Sequence, residues 1–164
     1  MKALYAQDEV PEFVRGDHFI HRREFVIEWG HCDPAGIVFN PRFQEYFDWS
    51  CVALLQAATG LTKTQMRDLY NFKGIPIVSV QAKFISSITY DDEVAIFSAV
   101  VGVKRSSMDF RHCLTSRGQV SVECSQTRVW CVADPENSAR PKSSPIPADV
   151  VSKLIPISCS FAGR

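Results

Sequence analysis

The 164-residue chain has no long hydrophobic run. Its longest nearly apolar stretch, Val94 to Val103, is far shorter than the ~20 residues a membrane-crossing helix needs, so neither a spanning helix nor a membrane partner is expected. It also has no excess of one charge. Lys and Arg number 18 and Asp and Glu number 18, and a net charge of zero gives no global field to draw in nucleic acid. The start lacks the order of basic residues, apolar block and small-residue cleavage site, because Asp8, Glu9, Pro11 and Glu12 interrupt it. On that ground the protein is expected to be unprocessed and cytoplasmic. No pair among Cys32, Cys51, Cys113, Cys124, Cys131 and Cys159 has C-x-x-C spacing, so buried reduced thiols are expected in place of a disulfide frame or a metal site. A G-x-S-x-G elbow is missing too, which leaves no serine held as a nucleophile. Internal repeats and low-complexity blocks are absent.

What is present is a composition able to bury one core: 46% apolar residues and 11% aromatic, over a length typical of a single domain. Residues 1–17 show no periodicity and read as an irregular arm. Phe19 to Trp29, with Phe25-Val26-Ile27 at its centre, suits a strand with one partly solvated face. A loop from Gly30 to Gly36 follows. Next comes the clearest helix, with Asn40 as N-cap and Pro41 in the first helical position, where its missing N–H costs nothing. Phe43, Tyr46, Phe47, Ser50, Leu54, Leu55 and Ala58 form its apolar stripe, and Gly60 is its stop. A second helix is expected over Lys63–Tyr70.

From Ile77 the period changes to two. Val78, Val80, Ala82, Phe84, Ile88 and Tyr90 share one parity and suggest a strand that ends at Asp91-Asp92. Glu93 to Lys104 is apolar on both parities, as a central strand or one covered by a partner subunit would be. Met108, Phe110, His112 and Leu114 alternate up to the turn Arg117-Gly118-Gln119, and Val120 to Val132 returns. Four strands without intervening helices predict an antiparallel meander, and a long helix beside long strands predicts an α+β domain whose curved sheet wraps the helix. His112 is read as a core or interface histidine. Residues 18–134 make up this domain, and 135–164 form a Pro- and Ser-rich tail with a short helix from Pro147 to Leu154.

The segment Asp33-Pro34-Ala35-Gly36-Ile37-Val38-Phe39-Asn40-Pro41 puts a carboxylate a few residues before a helix N-terminus, on a loop that Pro34 stiffens and Gly36 lets bend. Free N–H groups at that helix start suit a developing oxyanion. An acid and an oxyanion site from one short segment form an acyl-transfer layout, although an Asp-Pro turn also serves purely structural ends.

Asp33-Pro34-Ala35-Gly36-Ile37-Val38-Phe39 followed by Pro41, then Gly74-Ile75-Pro76-Ile77-Val78-Ser79 and Tyr90-Asp91-Asp92, resembles the 4-hydroxybenzoyl-CoA thioesterase family, and the similarity runs from about Arg22 to Asp149. The resemblance implies the hot-dog fold and a dimer whose sheets join edge to edge, commonly doubled into a tetramer with active sites between subunits. It implies that Asp33 attacks the thioester carbon or activates a water, and that the Asn40 backbone N–H polarises the carbonyl. The family pattern has Tyr at that position, but only the main chain is needed. Asp48 matches an acid that accepts the 4-hydroxyl of an aromatic acyl group, against the plainer reading of a solvated helix acid. Thr64 falls near a Trp of the family's acyl pocket, so the shape of the acyl group stays open.

Lys104 and Arg105 match the family's basic run for the nucleotide phosphates, with Ser106 in place of a third basic residue; without the resemblance they are a solvated pair at a turn. His31 neighbours Asp33 and either orients it or bonds locally. The reading is therefore an acyl-CoA thioesterase that needs no metal or redox cofactor, with coenzyme A entering as part of the substrate. Short aliphatic CoA esters or acyl carrier protein as carrier, and a non-catalytic acyl-CoA-binding protein, are the alternatives.

Overall fold

The computed structural model describes residues 9–155; the start of the expected arm, the end of the expected tail and Cys159 lie outside the described residues. Within them the chain forms β1 (Ile20–Val26), α1 (Asn40–Thr59), α2 (Lys63–Tyr70), β2 (Phe72–Gly74), β3 (Ile77–Phe84), β4 (Glu93–Val103), β5 (Ser107–Ser116), β6 (Gln119–Val129), β7 (Cys131–Ala133), β8 (Pro141–Ser143) and α3 (Ala148–Leu154). This is the α+β hot-dog arrangement that the resemblance implies. One long helix lies on a five-stranded antiparallel sheet of order β1-β4-β5-β6-β3, and register shifts in β4 between Val100 and Gly102 and in β5 between Leu114 and Thr115 help to bend it.

Helix α1 runs twenty residues because its buried positions, Phe43, Tyr46, Phe47, Ser50, Cys51, Leu54, Leu55 and Thr59, recur on one face. Each large apolar side chain so covered contributes roughly 1.5–3 kcal/mol. At the helix start, Phe39 is the N-cap and makes no side-chain capping bond; Asn40 is the first helical residue, so the helix begins one place earlier than expected. Gly60, at φ 71°, ends the helix in the left-handed conformation. A capping box starts α2: the Gln65 N–H donates to Thr62 Oγ1 (3.2 Å) and the Thr62 N–H donates to Gln65 Oε1 (2.8 Å).

The expected four-strand meander is corrected. Only β4, β5 and β6 follow one another; β3 pairs with β6 at the far edge, and β1 pairs with β4. Alternation states which faces a strand has and not which neighbours it takes. Strand β4, apolar on both faces, takes an interior place, while β3, with Val78 62%, Val80 47% and Phe84 51% exposed, takes an edge. β3 also ends at Phe84 and not at Tyr90. The Ile85 N–H turns to Ser121 O (2.8 Å), and only Ile88 of the remaining run is buried.

The outer face of β4 is covered from within the chain. Val10, ahead of a 3₁₀ turn at Glu12–Val14, and Val14 within it pack with Ala95, Phe97, Ala99 and Cys113. The strand after the Gly118 turn stops at Val129, since Trp130, fully buried, passes the chain from the large sheet to a small one of order β2-β7-β8. Val150 and Leu154 of α3 join the core with Trp130, Leu54 and Leu55.

Candidate functional site

The loop before α1 is held almost wholly by main-chain bonds. Cys32 and Val38 form an antiparallel bridge. The Asp33 N–H donates to Ile37 O, the Gly36 N–H to Asp33 O and the Phe39 N–H to His31 O, each at 2.9 Å. Gly36 sits at φ 79°, a conformation that a side chain resists and that this tight turn requires. Asp33, partly buried, accepts from the Ala35 N–H through Oδ1 (2.8 Å). Its other carboxylate oxygen has no partner among the described residues. The Asn40 N–H likewise donates to no group among them, as the geometry of a helix start requires.

A second layer fixes this loop from behind. Ile37 bridges to Thr89, and the Val38 N–H donates to Ile88 O (2.9 Å). Asp92 accepts from the Thr89 N–H (2.9 Å) and hydroxyl (3.1 Å), while Arg117 grips its other oxygen through Nε (3.0 Å) and Nη2 (2.6 Å). The Thr89 N–H in the first place, and then the Thr89 hydroxyl and Arg117, hold the Asp92 carboxyl below its ordinary range. The second acid of the Tyr90-Asp91-Asp92 run thus acts on the Asp33 loop through Thr89 and Ile37.

His31 bonds locally. Its Nδ1 accepts from the Glu28 N–H (3.2 Å), and its ring meets Tyr46 edge to face at 5.5 Å between centroids. Tyr46 is fully buried and its hydroxyl has no partner among the described residues; burial pushes its pKa up to about 12.

Asp48, about two turns along α1, belongs to a different construction. It lines a cleft of about 600 Å³ with Trp49, Leu55, Met66, Phe72 and Arg128, a volume suited to a small ligand. Its Oδ1 accepts from Arg128 Nη2. The Arg128 side chain is 5% exposed and that of Asp48 52%, so the pair joins the interior to the cleft. Behind it, Arg128 Nε donates to Gln126 Oε1 (2.8 Å), the Cys51 thiol donates to the same oxygen (3.7 Å), Cys51 Sγ lies 3.3 Å from His112 Nε2, and His112 Nδ1 lies 2.7 Å from Ser98 Oγ. Burial drives the His112 pKa down to about 3, with Arg128 adding to the effect, so the ring is neutral in the folded protein.

Of the remaining expected residues, Thr64 is exposed on α2 and does not line the cleft, whereas its neighbours Lys63 and Met66 do. Lys104, Arg105 and Ser106 form the β4–β5 turn. There the Lys104 N–H donates to Ser107 O (2.8 Å), Arg105 O accepts from the Ile146 N–H (2.9 Å) and Ser106 O from the Trp130 N–H (2.8 Å). The Lys104 and Arg105 side chains are exposed and make no ion pair among the described residues. Within one chain the candidate residues therefore fall into three groups: the Asp33–Asn40 loop with His31, the Asp48 cleft, and the basic turn. A larger open groove of about 1150 Å³ beside β1 and residues 9–15 is lined by none of them.

Arg128 and Gln126 escape a reading that follows apolar alternation. They share the parity of Val122, Cys124 and Trp130 in a buried strand, and charge on that parity was the available signal.

Comparison with known proteins bears on this geometry. The sequence profile described as the thioesterase-like superfamily matches residues 27–154. The 4-hydroxybenzoyl-CoA thioesterase of Pseudomonas sp. (strain CBS-3) is 30% identical over 131 residues, covering 76% of this chain and 90% of that one. Its solved structure superimposes with a TM-score of 0.75 at 28% identity, covering 82% of this chain and 98% of that one. A gentisyl-coenzyme A thioesterase gives 0.69 at 27% identity, covering 80% and 99%.

Proposed function

Since the chain belongs to the thioesterase-like superfamily, we propose that it is an acyl-CoA thioesterase, acting on an aromatic acyl-CoA. The observation that carries this reading is the start of α1, where, among the described residues, Asp33 keeps one carboxylate oxygen free and Asn40 a free N–H. In this reading the thioester carbonyl oxygen accepts from the Asn40 N–H, and charge building on that oxygen is met by the helix start. The free oxygen of Asp33 either attacks the carbonyl carbon, expelling the thiolate and leaving an anhydride that water opens, or takes a proton from the water that attacks. Both routes consume one water and yield acid and thiol. A thioester is already activated, so neither route calls on a metal or redox group.

Asp48, with Oδ2 unpartnered among the described residues, is the proposed acceptor for a ring hydroxyl in the cleft. Thr64 stays outside this cleft within one chain, and His31 is proposed to hold the loop. Lys104 and Arg105, without an ion pair among the described residues, are with Ser106 the proposed contacts for the CoA phosphates. The exposed apolar edge β3 supports a dimer formed by pairing two such edges, and a tetramer built from two dimers. That pairing would also join groups that one chain keeps apart. The free thiols among the described residues support a reducing, cytoplasmic setting.

The test is thiol release from a panel of aromatic and aliphatic acyl-CoAs and acyl carrier proteins, with Asp33→Asn as control. The expected result is turnover of the aromatic CoA esters that the variant loses. Full activity in Asp33→Asn, or binding without turnover in the native protein, refutes it.

A further inference from the structure

Arg128 commits three N–H groups at once. Nη2 donates to Asp48 on α1, Nη1 to Ile75 O (3.2 Å) in the segment between β2 and β3, and Nε to Gln126 of its own strand. Asp48, Ile75 and Arg128 all line the same cleft, so one buried guanidinium ties two of its walls together. Gln126 is itself held, since its Oε1 also accepts from Cys51 and its Nε2 donates to Gln44 Oε1 (3.4 Å). The planar fork has little room to rotate, and a Lys ammonium could not reproduce its three directions.

A guanidinium whose only duty was to be neutralised inside the protein would be served by a buried carboxylate. This one uses a carboxylate that is half exposed in a cleft and leaves Oδ2 unpartnered among the described residues. We propose that Arg128 is a positioning residue for selectivity: it fixes Asp48 so that the free oxygen accepts from a neutral hydroxyl on the acyl group. An ionised carboxylate held this way accepts and does not donate, so the site favours a hydroxyl over a bare ring and disfavours a ring carboxylate. The inference rests on the aromatic thioesterase reading and adds to it a residue that need not touch substrate.

The experiment measures kcat and KM on 4-hydroxybenzoyl-CoA and benzoyl-CoA for the native protein, Asp48→Asn, Arg128→Lys, Arg128→Met and the Asp48→Asn/Arg128→Met double variant. The native preference for the hydroxylated ester, as a ratio of kcat/KM, is expected to fall by about 10- to 100-fold in Arg128→Met and by less in Arg128→Lys. The double variant is expected to lose no more preference than Asp48→Asn alone, because both changes remove one selector. An unchanged ratio in either Arg128 variant, or an equal loss on both esters, overturns the proposal; if Arg128→Met does not fold, Arg128→Lys decides. A native protein that hydrolyses both esters without preference overturns the role of Asp48 and this proposal with it. One that hydrolyses neither refutes the aromatic thioesterase reading itself.

Discussion

Two carboxylates stand on either side of the first turns of α1 and are held in opposite ways. Asp33 precedes the helix on a turn made of main-chain bonds, and its own side chain makes a single bond, to Ala35. Asp48 lies on the helix and is held chiefly by side chains, through Arg128 to Gln126, Cys51, His112 and Ser98, with the Ile75 carbonyl steadying the guanidinium. The first arrangement leaves a carboxylate oxygen unsatisfied among the described residues at little cost, because the backbone carries the geometry. The second puts the cost of burial into a chain of polar groups and obtains a fixed direction. A carboxylate that must change bonding partners during a reaction suits the first, and one that must recognise a substituent without changing suits the second.

That contrast can be broken in several places. The largest effect is expected from Asp33→Asn, which should lower kcat by about 10²- to 10⁴-fold while leaving the urea midpoint nearly unchanged; a large loss of stability would show that Asp33 is structural. Asp48→Ala should chiefly cost stability, together with the preference for the hydroxylated ester. Leaving the Arg128 guanidinium buried without its counter-charge is expected to cost about 3 kcal/mol in urea unfolding, and a cost near zero would mean that the network stands without it.

The side-chain network should also respond to pH. His112 is held neutral, with its pKa lowered to about 3 from an unfolded value of 6.5. Between those values the unfolded chain binds a proton that the folded chain refuses. Stability is therefore fully present above about pH 6.5 and is lost as pH falls, by up to about 1.4 kcal/mol per pH unit. Urea curves from pH 7 to 5 should show the slope, and His112→Gln should reduce it by one proton. Smallest of all, Gly36→Ala meets open space but a left-handed backbone; it is expected to cost about 1 kcal/mol and to lower kcat more than the same strain would at Gly60.

The Asp33 side of this contrast was legible in the sequence, and the Asp48 side was only half so. A turn, a proline and a helix start act within a few residues, so Asp33, Gly36 and the start of α1 are visible in their order, with an error of one place at Asn40. Arg128 is eighty residues from Asp48 in the chain, and nothing local joins them. The placement of β3 was lost for a related reason: Val78, Val80 and Phe84 announce a strand, while its partner β6 is set by which strand needs both flanks covered. The inward parity of Gln126 and Arg128 was passed over because a pattern of apolar residues treats charge as interruption.

The turn from Lys104 to Ser107 has a further consequence. Its place in the fold depends on amide and carbonyl groups, which hold Ile146 and Trp130 whatever side chains the turn carries. Mutation can therefore add, remove or reverse charge at positions 104 and 105 without touching the architecture. If the turn holds the CoA phosphates as proposed, affinity for an anionic carrier becomes a trait that can drift or be selected independently of stability, and a lineage could exchange one carrier for another here while inheriting the rest of the enzyme intact.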